Sequence, residues 1–180
     1  MSEDRLPEAR RLTPVAQILT VVVPVFDEQD VLPLFVDRLR PVLDALLSTT
    51  YVMAYEVIVV DDGSRDRSVE LLSELGATWP QLCVVELRRN SGQQAAIAAG
   101  LRLAAGDWVL TMDADLQDPP ELTPAMLDAA DGNHVDVVYT CRKDRSSDGI
   151  VKSRLASGYY GLVRRVAGVP RRSAAARAGD

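Results

Sequence analysis

The chain alternates short, nearly unbroken apolar runs with longer amphipathic ones. Ile18 to Phe26 (ILTVVVPVF) is β-rich and almost continuous, the pattern of a strand buried on both faces of a parallel sheet. Pro24 marks where its pairing should stop. Residues 31–47 then place Leu32, Phe35, Val36, Leu39, Val42, Leu43 and Leu46 on one helical stripe. Tyr55 to Val60 predicts a second strand, which runs straight into Asp61-Asp62-Gly63-Ser64. Asp66 can cap the helix that follows, with Val69, Leu71, Leu72 and Leu75 inside and Gly76 at its expected end. Leu82 to Leu87 is a third strand, and an Ala-rich helix over 93–104 has side chains small enough for close packing on a sheet. A fourth strand, Asp107 to Met112, a helix over 121–130, a fifth strand, Val135 to Thr140, and a basic amphipathic helix over 150–166 complete the series.

Strands and helices alternating at this spacing imply an α/β fold: a parallel sheet with right-handed crossovers and helices on its faces. Ligands of such sheets sit beyond the carboxyl ends of the strands. The polar residues gather there: Asp27 and Glu28 after the first strand, Asp61 and Asp62 after the second, Asn90 after the third, Asp113 and Asp115 after the fourth, Arg142 after the fifth. An acidic surface turn explains one or two of these placements, not five in succession.

Asp113 and Asp115 stand at i and i+2, so extended backbone puts both on one face, with only Ala114 between them. Mg²⁺ is commonly held by one or two such carboxylates, with water and substrate phosphates completing its shell. Gln117 offers a neutral oxygen nearby, and Pro119-Pro120 ends the strand before the next helix. Neither the Gly-x-Gly-x-x-Gly of a dinucleotide site nor a P-loop occurs. Carboxylates meet phosphate only through a metal, yet they accept hydrogen bonds from ribose hydroxyls or a base N–H. A nucleoside diphosphate joined to a sugar meets both conditions.

Charge adds a division along the chain. The net charge is −6, but residues 142–180 hold ten Lys/Arg against three Asp. That end reads either as a solvated tail or as a surface for phosphate or anionic lipid. Nucleic acid is disfavoured, because only Tyr159 and Tyr160 supply aromatic faces among the basic residues. Cys83 and Cys141 are too few for a disulfide framework; Cys83, in an apolar run, reads as a small core residue, and the setting as reducing and cytoplasmic. His134, the only histidine, reads as exposed and structural. Residues 1–17 read as a loose arm without a signal-peptide pattern, and no apolar run reaches membrane-spanning length. The expected layout is this arm, one domain over 18–166, and a basic tail without regular structure over 167–180.

Four motifs taken together resemble a known family: Pro24-Val25-Phe26-Asp27-Glu28, Val59-Val60-Asp61-Asp62-Gly63-Ser64-Arg65-Asp66, Arg89-Asn90-Ser91-Gly92 and Asp113-Ala114-Asp115-Leu116-Gln117-Asp118-Pro119-Pro120-Glu121. They look like the family 2 inverting glycosyltransferases of GT-A fold, a Rossmann-like, mostly parallel sheet flanked by helices. The string from Met112 to Glu121, with Arg142 after it, is similar to the subgroup that uses polyprenyl-phosphate acceptors, such as dolichol-phosphate mannose synthase. The resemblance implies that Glu28, Asp61 and Asp62, with Pro24 and Asn90 beside them, line the pocket of a UDP- or GDP-linked sugar. It implies that Asp113, Asp115 and Gln117 hold Mg²⁺ or Mn²⁺ on the diphosphate, with Asp115 and Arg142 as the catalytic pair. Arg142, Lys152 and Arg154 would face the acceptor phosphate, carried by an undecaprenyl or dolichyl lipid at an anionic membrane surface. A homo-oligomer is compatible with this picture. Asp27 stands where Asn is commoner, and Gln93 where Lys is commoner. Members of the subgroup extend further, usually through two transmembrane helices, whereas this chain stops at Asp180. A family 2 transferase with a glycan or protein acceptor, and a non-catalytic module that binds nucleotide sugars, are the alternatives.

Overall fold

The computed structural model describes residues 17–49, 52–133, 135–141 and 174–177. They fall into two compact units, divided between Pro120 and Glu121.

The first unit is built on a four-stranded parallel sheet in the order β3-β2-β1-β4, from β1 (Gln17–Val25), β2 (Val52–Asp61), β3 (Leu82–Glu86) and β4 (Trp108–Thr111). The apolar runs of β1 and β2 are central, and Val21, Val22, Val23, Val57 and Val60 are fully or almost fully buried. Register carries Val25 opposite Asp61 and Asp61 opposite Glu86, so these strands end at one level. Three helices connect them: α1 (Leu32–Thr49), α2 (Ser68–Thr78) and α3 (Gln93–Leu103). The stripe of α1 is buried as its spacing predicts, with Leu32, Phe35, Leu39, Leu43 and Leu46 at 1% exposure or less.

α3 lies on β1 and β2, and its small residues set how close it comes. Ala96 packs with Ile58 and Val60, and a Cβ built on Gly100 would stand 2.4 Å from a Val22 methyl. At the other end of the sheet, Glu56 Oε1 accepts from the buried Thr20 hydroxyl (2.6 Å) and from the Ala105 N–H (2.9 Å), while Gly106 N–H donates to Thr20 Oγ1 (2.9 Å). This fixes the turn that launches β4. The β4 pairing continues one residue past the strand, Met112 N–H donating to the Val22 carbonyl at 3.1 Å, so Asp113 is the first residue released from the sheet.

Three expectations for this unit are corrected. Pairing does not stop at Pro24: β1 stays in register with β2 through Val25, opposite Asp61. Cys83 is exposed rather than in the core. It lies on the edge strand β3, and α3 covers Val85 and Leu87 farther along instead. Gly76 does not end α2, which runs on to Thr78. That extension brings Trp79, 1% exposed, to donate its Nε1–H to Tyr55 Oη at 3.0 Å, and Tyr55 Oη donates in turn to Asp44. Burial, reinforced by the bond to Asp44, pushes the Tyr55 hydroxyl up to about 12.

A 3₁₀ turn, Pro120–Leu122, begins at the last residue of the first unit and enters α4 (Thr123–Asn133) of the second. β5 (Val138–Cys141) does not join the main sheet as a fifth strand; it pairs in parallel with β6 (Ala174–Arg177) in a separate two-stranded sheet. Apolar patterning identifies a strand but not its partner, which is a non-local choice. β6 falls in the stretch whose basic composition reads as a tail; its order comes from backbone pairing with β5, of which local composition gives no sign. His134, the expected helix over 150–166, and Arg142, Lys152 and Arg154 lie outside the described residues. No described helix is long and apolar enough to cross a membrane.

Candidate active site

The carboxyl ends of β1, β2 and β4 and the loop after β3 surround a cavity of about 360 Å³. β1 and its loop give it Pro24, Val25, Phe26 and Glu28; β2 gives Asp62; the β3–α3 loop gives Asn90, Gly92 and Gln93; β4 gives Asp113, Ala114 and Asp115. Every charged residue in this lining is acidic.

The loops after β1 and β2 lock together through backbone and short polar side chains. The N–H groups of Asp27, Glu28 and Gln29 donate to Ser64 Oγ (2.9 Å), Ser68 Oγ (3.0 Å) and Asp66 Oδ2 (3.0 Å). In return Arg65 N–H donates to Asp27 Oδ1 (2.7 Å) and Arg67 N–H to Gln29 Oε1 (3.0 Å). Asp27 is held at φ 53°, a left-handed conformation that Asp tolerates better than most residues. Asp66 Oδ1 also takes the Ser68 N–H at 2.9 Å, but the N-cap position of α2 falls to Arg67, not to Asp66 as its sequence place suggests. Burial opposes its charge, but the hydrogen bonds from Ser68 and Gln29 outweigh it and hold the Asp66 carboxyl below its usual range.

The two strand-end carboxylates of β2 do more structural work than their sequence position implies. Asp61 is 1% exposed; its Oδ2 accepts from the N–H groups of Gly63 and Ser64, both at 3.0 Å, and its Oδ1 is buried with no partner. Asp61 is not part of the cavity lining, whereas Asp62 is. Asp62, 3% exposed, accepts from Ser91 N–H on Oδ1 and from Gly92 N–H on Oδ2, both at 2.7 Å. Gly63 shows why these loops need glycine: φ is +72°, and an added Cβ would meet the Arg89 and Asn90 backbone at 2.7 Å.

After β4, Asp115 Oδ1 accepts from Gln117 N–H at 2.9 Å, closing a tight turn around Leu116, which sits at φ 59°. Gln93 Nε2 donates to Asp113 Oδ1 at 2.7 Å. Burial, then the charges of Asp115, Asp66 and Asp113, raise the Glu28 carboxyl above its usual range. Among the described residues no set of three His, Cys, Asp or Glu side chains is already gathered as a metal cage. The donors instead suit a cation that takes few protein ligands: two hard carboxylates on one turn, unpaired with any base among the described residues, facing a space open to substrate oxygens.

Of the residues singled out in the sequence, Pro24, Glu28, Asp62, Asn90, Asp113 and Asp115 meet at one cavity, while Asp61 and Gln117 stay outside its lining. Phe26, Gly92 and Gln93 line it as well. Phe26 was legible as the last apolar residue of the first strand's run, and the structure leaves it 39% exposed beside the buried Val25. Gln93 was legible only as a departure from the resembled family's pattern, Gln standing where Lys is commoner.

The same fold occurs in solved glycosyltransferases of GT-A type. A mannosyltransferase from Pyrobaculum calidifontis, determined with GDP-Man and Mn²⁺, superposes with a TM-score of 0.60 at 25% identity, over 84% of this chain and 40% of that one. Staphylococcus aureus TarS (residues 1–349) in complex with UDP gives 0.55 at 26% identity, over 73% of this chain and 37% of that one. In sequence, the undecaprenyl-phosphate 4-deoxy-4-formamido-L-arabinose transferase of Edwardsiella ictaluri is 42% identical over 154 residues, 84% of this chain and 45% of that protein. The chain therefore spans less than half the length of that relative. The glycosyl transferase family 2 model matches residues 20–169, strand ends and loops of the cavity included, and the chain belongs to that family.

Proposed function

We propose that the cavity binds a UDP- or GDP-linked sugar and that the protein transfers this sugar, with inversion, to a polyprenyl phosphate. The observation that carries this reading is the all-acidic lining at the carboxyl ends of the strands. Asp62 and Glu28, on the β2 and β1 side, offer acceptors for ribose or base N–H, and Phe26 an aromatic face. Asp113 and Asp115 would hold Mg²⁺ or Mn²⁺, with Gln117 a further oxygen of the same turn. When bound, the cation neutralises charge on the leaving diphosphate, a stabilisation of several kcal/mol in metal-assisted chemistry.

The nucleophile needs little help. The second pKa of a phosphomonoester is about 6, so the acceptor phosphate is largely ionised near pH 7 and attacks the anomeric carbon without a general base. The sugar–phosphate bond of the donor breaks as the new bond forms on the opposite face, which inverts that carbon. Arg142, Lys152 and Arg154 are the proposed contacts of the acceptor phosphate, because a guanidinium fork binds phosphate bidentately. A lipid-borne acceptor also asks the site to work at a membrane surface, and the basic stretch 142–180 is the proposed contact with anionic lipid.

The test is transfer of labelled sugar from UDP- or GDP-linked donors to undecaprenyl phosphate by the full chain, with and without chelator. Metal-dependent formation of a lipid-linked product is the expected result. Transfer only to a soluble glycan would refute the acceptor assignment, and donor binding without any transfer would refute the activity.

A further inference from the structure

Gln93 is the first residue of α3, and it lines the cavity. Its side-chain N–H reaches across the site to Asp113 Oδ1 at 2.7 Å, the short distance of a hydrogen bond to an ionised acceptor. The strand that ends at Asp113 is not a neighbour of the strand that precedes α3: β1 and β2 stand between β4 and β3. The bond therefore ties two separated parts of the site.

Gln93 is exposed, but the backbone that carries it is anchored. Gly92 before it donates its N–H to the buried Asp62, and the Gly92 carbonyl accepts from Ala95 and Ala96 at 2.9 and 3.2 Å. Ala96 is fully buried against the sheet. A rigid path thus runs from the end of β2 through Gly92 and Gln93 to the carboxylate at the end of β4. With Oδ1 engaged, Asp113 loses rotational freedom and keeps Oδ2 for another partner. A carboxamide does this without bringing charge. A lysine or arginine making the same contact would add a positive charge beside the carboxylate.

We propose that Gln93 is a positioning residue, which holds Asp113 ready for the divalent cation of the donor diphosphate while leaving its charge intact. This rests on the donor-site reading above. Partners of metal-ligating side chains typically change metal affinity by about 10- to 100-fold when removed.

The experiment measures Mn²⁺ binding by the full chain, by paramagnetic resonance of free Mn²⁺, with UDP or GDP saturating. Gln93→Leu keeps the shape and removes the donor, and should weaken Mn²⁺ about 10- to 100-fold with an unaltered unfolding midpoint. Gln94→Leu, one position on and outside the cavity lining, should bind Mn²⁺ as the unaltered chain does. Equal Mn²⁺ affinity in Gln93→Leu and the unaltered chain overturns the positioning role and leaves the donor site standing. Equal losses in Gln93→Leu and Gln94→Leu overturn it too, since the effect would then belong to the helix start and not to Asp113. An unaltered chain that binds neither nucleotide nor Mn²⁺ overturns the donor-site reading, and the positioning role falls with it.

Discussion

Replacing Asp62 tests whether the strand-end carboxylates serve the fold or only the ligand. Asp62 is 3% exposed and receives two backbone N–H groups at 2.7 Å, from Ser91 and Gly92. Hydrogen bonds to a charged group contribute about 1.5–3 kcal/mol each. Ser91 and Gly92 are exposed, so their freed N–H groups can turn to water, and removing a buried charge returns some desolvation energy. The lower end of the range therefore applies, about 3 kcal/mol for Asp62→Ala. Asp62→Asn keeps one acceptor and turns an NH₂ group toward the other N–H, a loss of about 2 kcal/mol. With a urea m-value of about 2 kcal/mol/M, these become midpoint shifts of about 1.5 M and 1 M.

Equilibrium urea unfolding followed by circular dichroism reads both variants in one experiment. The order should be unaltered chain, Asn, Ala, from most to least stable. The Asn variant should also bind Mn²⁺ more weakly in the presence of nucleotide, although Asp62 is not a proposed cation ligand, because Gly92 no longer anchors Gln93. Midpoints within about 0.3 M of the unaltered chain for both variants, with nucleotide binding lost, would refute the reasoning: the carboxylate would then belong to the ligand alone.

Three further outcomes follow from the same geometry. Gly92→Ala meets open space and should cost only the strain of its φ 93°, ψ 150° backbone, a region essentially confined to glycine, about 1–3 kcal/mol, whereas Gly63→Ala adds to its own positive-φ strain a 2.7 Å approach to the Arg89 and Asn90 backbone and should cost more; equal unfolding midpoints would contradict this. Glu28 has a raised carboxyl pKa, so the folded chain gains stability as pH falls through it and loses it above; Glu28→Gln should raise the melting temperature at pH 7 without metal, flatten its acid dependence and weaken nucleotide binding, and an unchanged melting profile would count against the crowding of charge. Tyr55, at about 12, favours its neutral form on folding, so stability should fall as pH rises from about 10 toward 12, and Tyr55→Phe should blunt that fall in alkaline melting curves.

Much of the first unit was legible because local pattern and tertiary demand agree there. The unbroken run of β1 could only be a strand buried on both faces, and the stripe of α1 matched the face it buries. The motif residues at the ends of β1, β2 and β4 reach one cavity because a parallel sheet brings those ends to one level. What stayed hidden is set by contacts distant in sequence. Cys83 looks like a core residue until β3 proves to be an edge strand. β5 looks like a fifth strand of the main sheet until β6 takes it as a partner. The bond from Gln93 to Asp113 spans 20 positions and no spacing rule encodes it.

Adjacent carboxylates with the same sequence context divide into different tasks, and the division follows from which backbone groups surround each one. Asp61 and Asp62 are buried and accept N–H groups from turns that glycine shapes, so their charge is largely spent in place. Asp113 and Asp115 each have one oxygen engaged, by a side-chain amide and by the Gln117 N–H, and both remain in the cavity wall beside Glu28. Among the described residues these three carboxylates face one space without a basic partner; burial first, then the charges of Asp115, Asp66 and Asp113, raises the Glu28 carboxyl. Folding tolerates this because the loops are fixed by other bonds: Asp27 and Leu116 are held at left-handed φ by the Ser64, Arg65 and Asp115 contacts. The resulting site is preorganised and, among the described residues, short of positive charge. A donor bound with its cation relieves that shortage, whereas a free sugar does not. Reciprocal coupling is then the expected consequence: the affinities of cation and nucleotide sugar should each rise when the other is present.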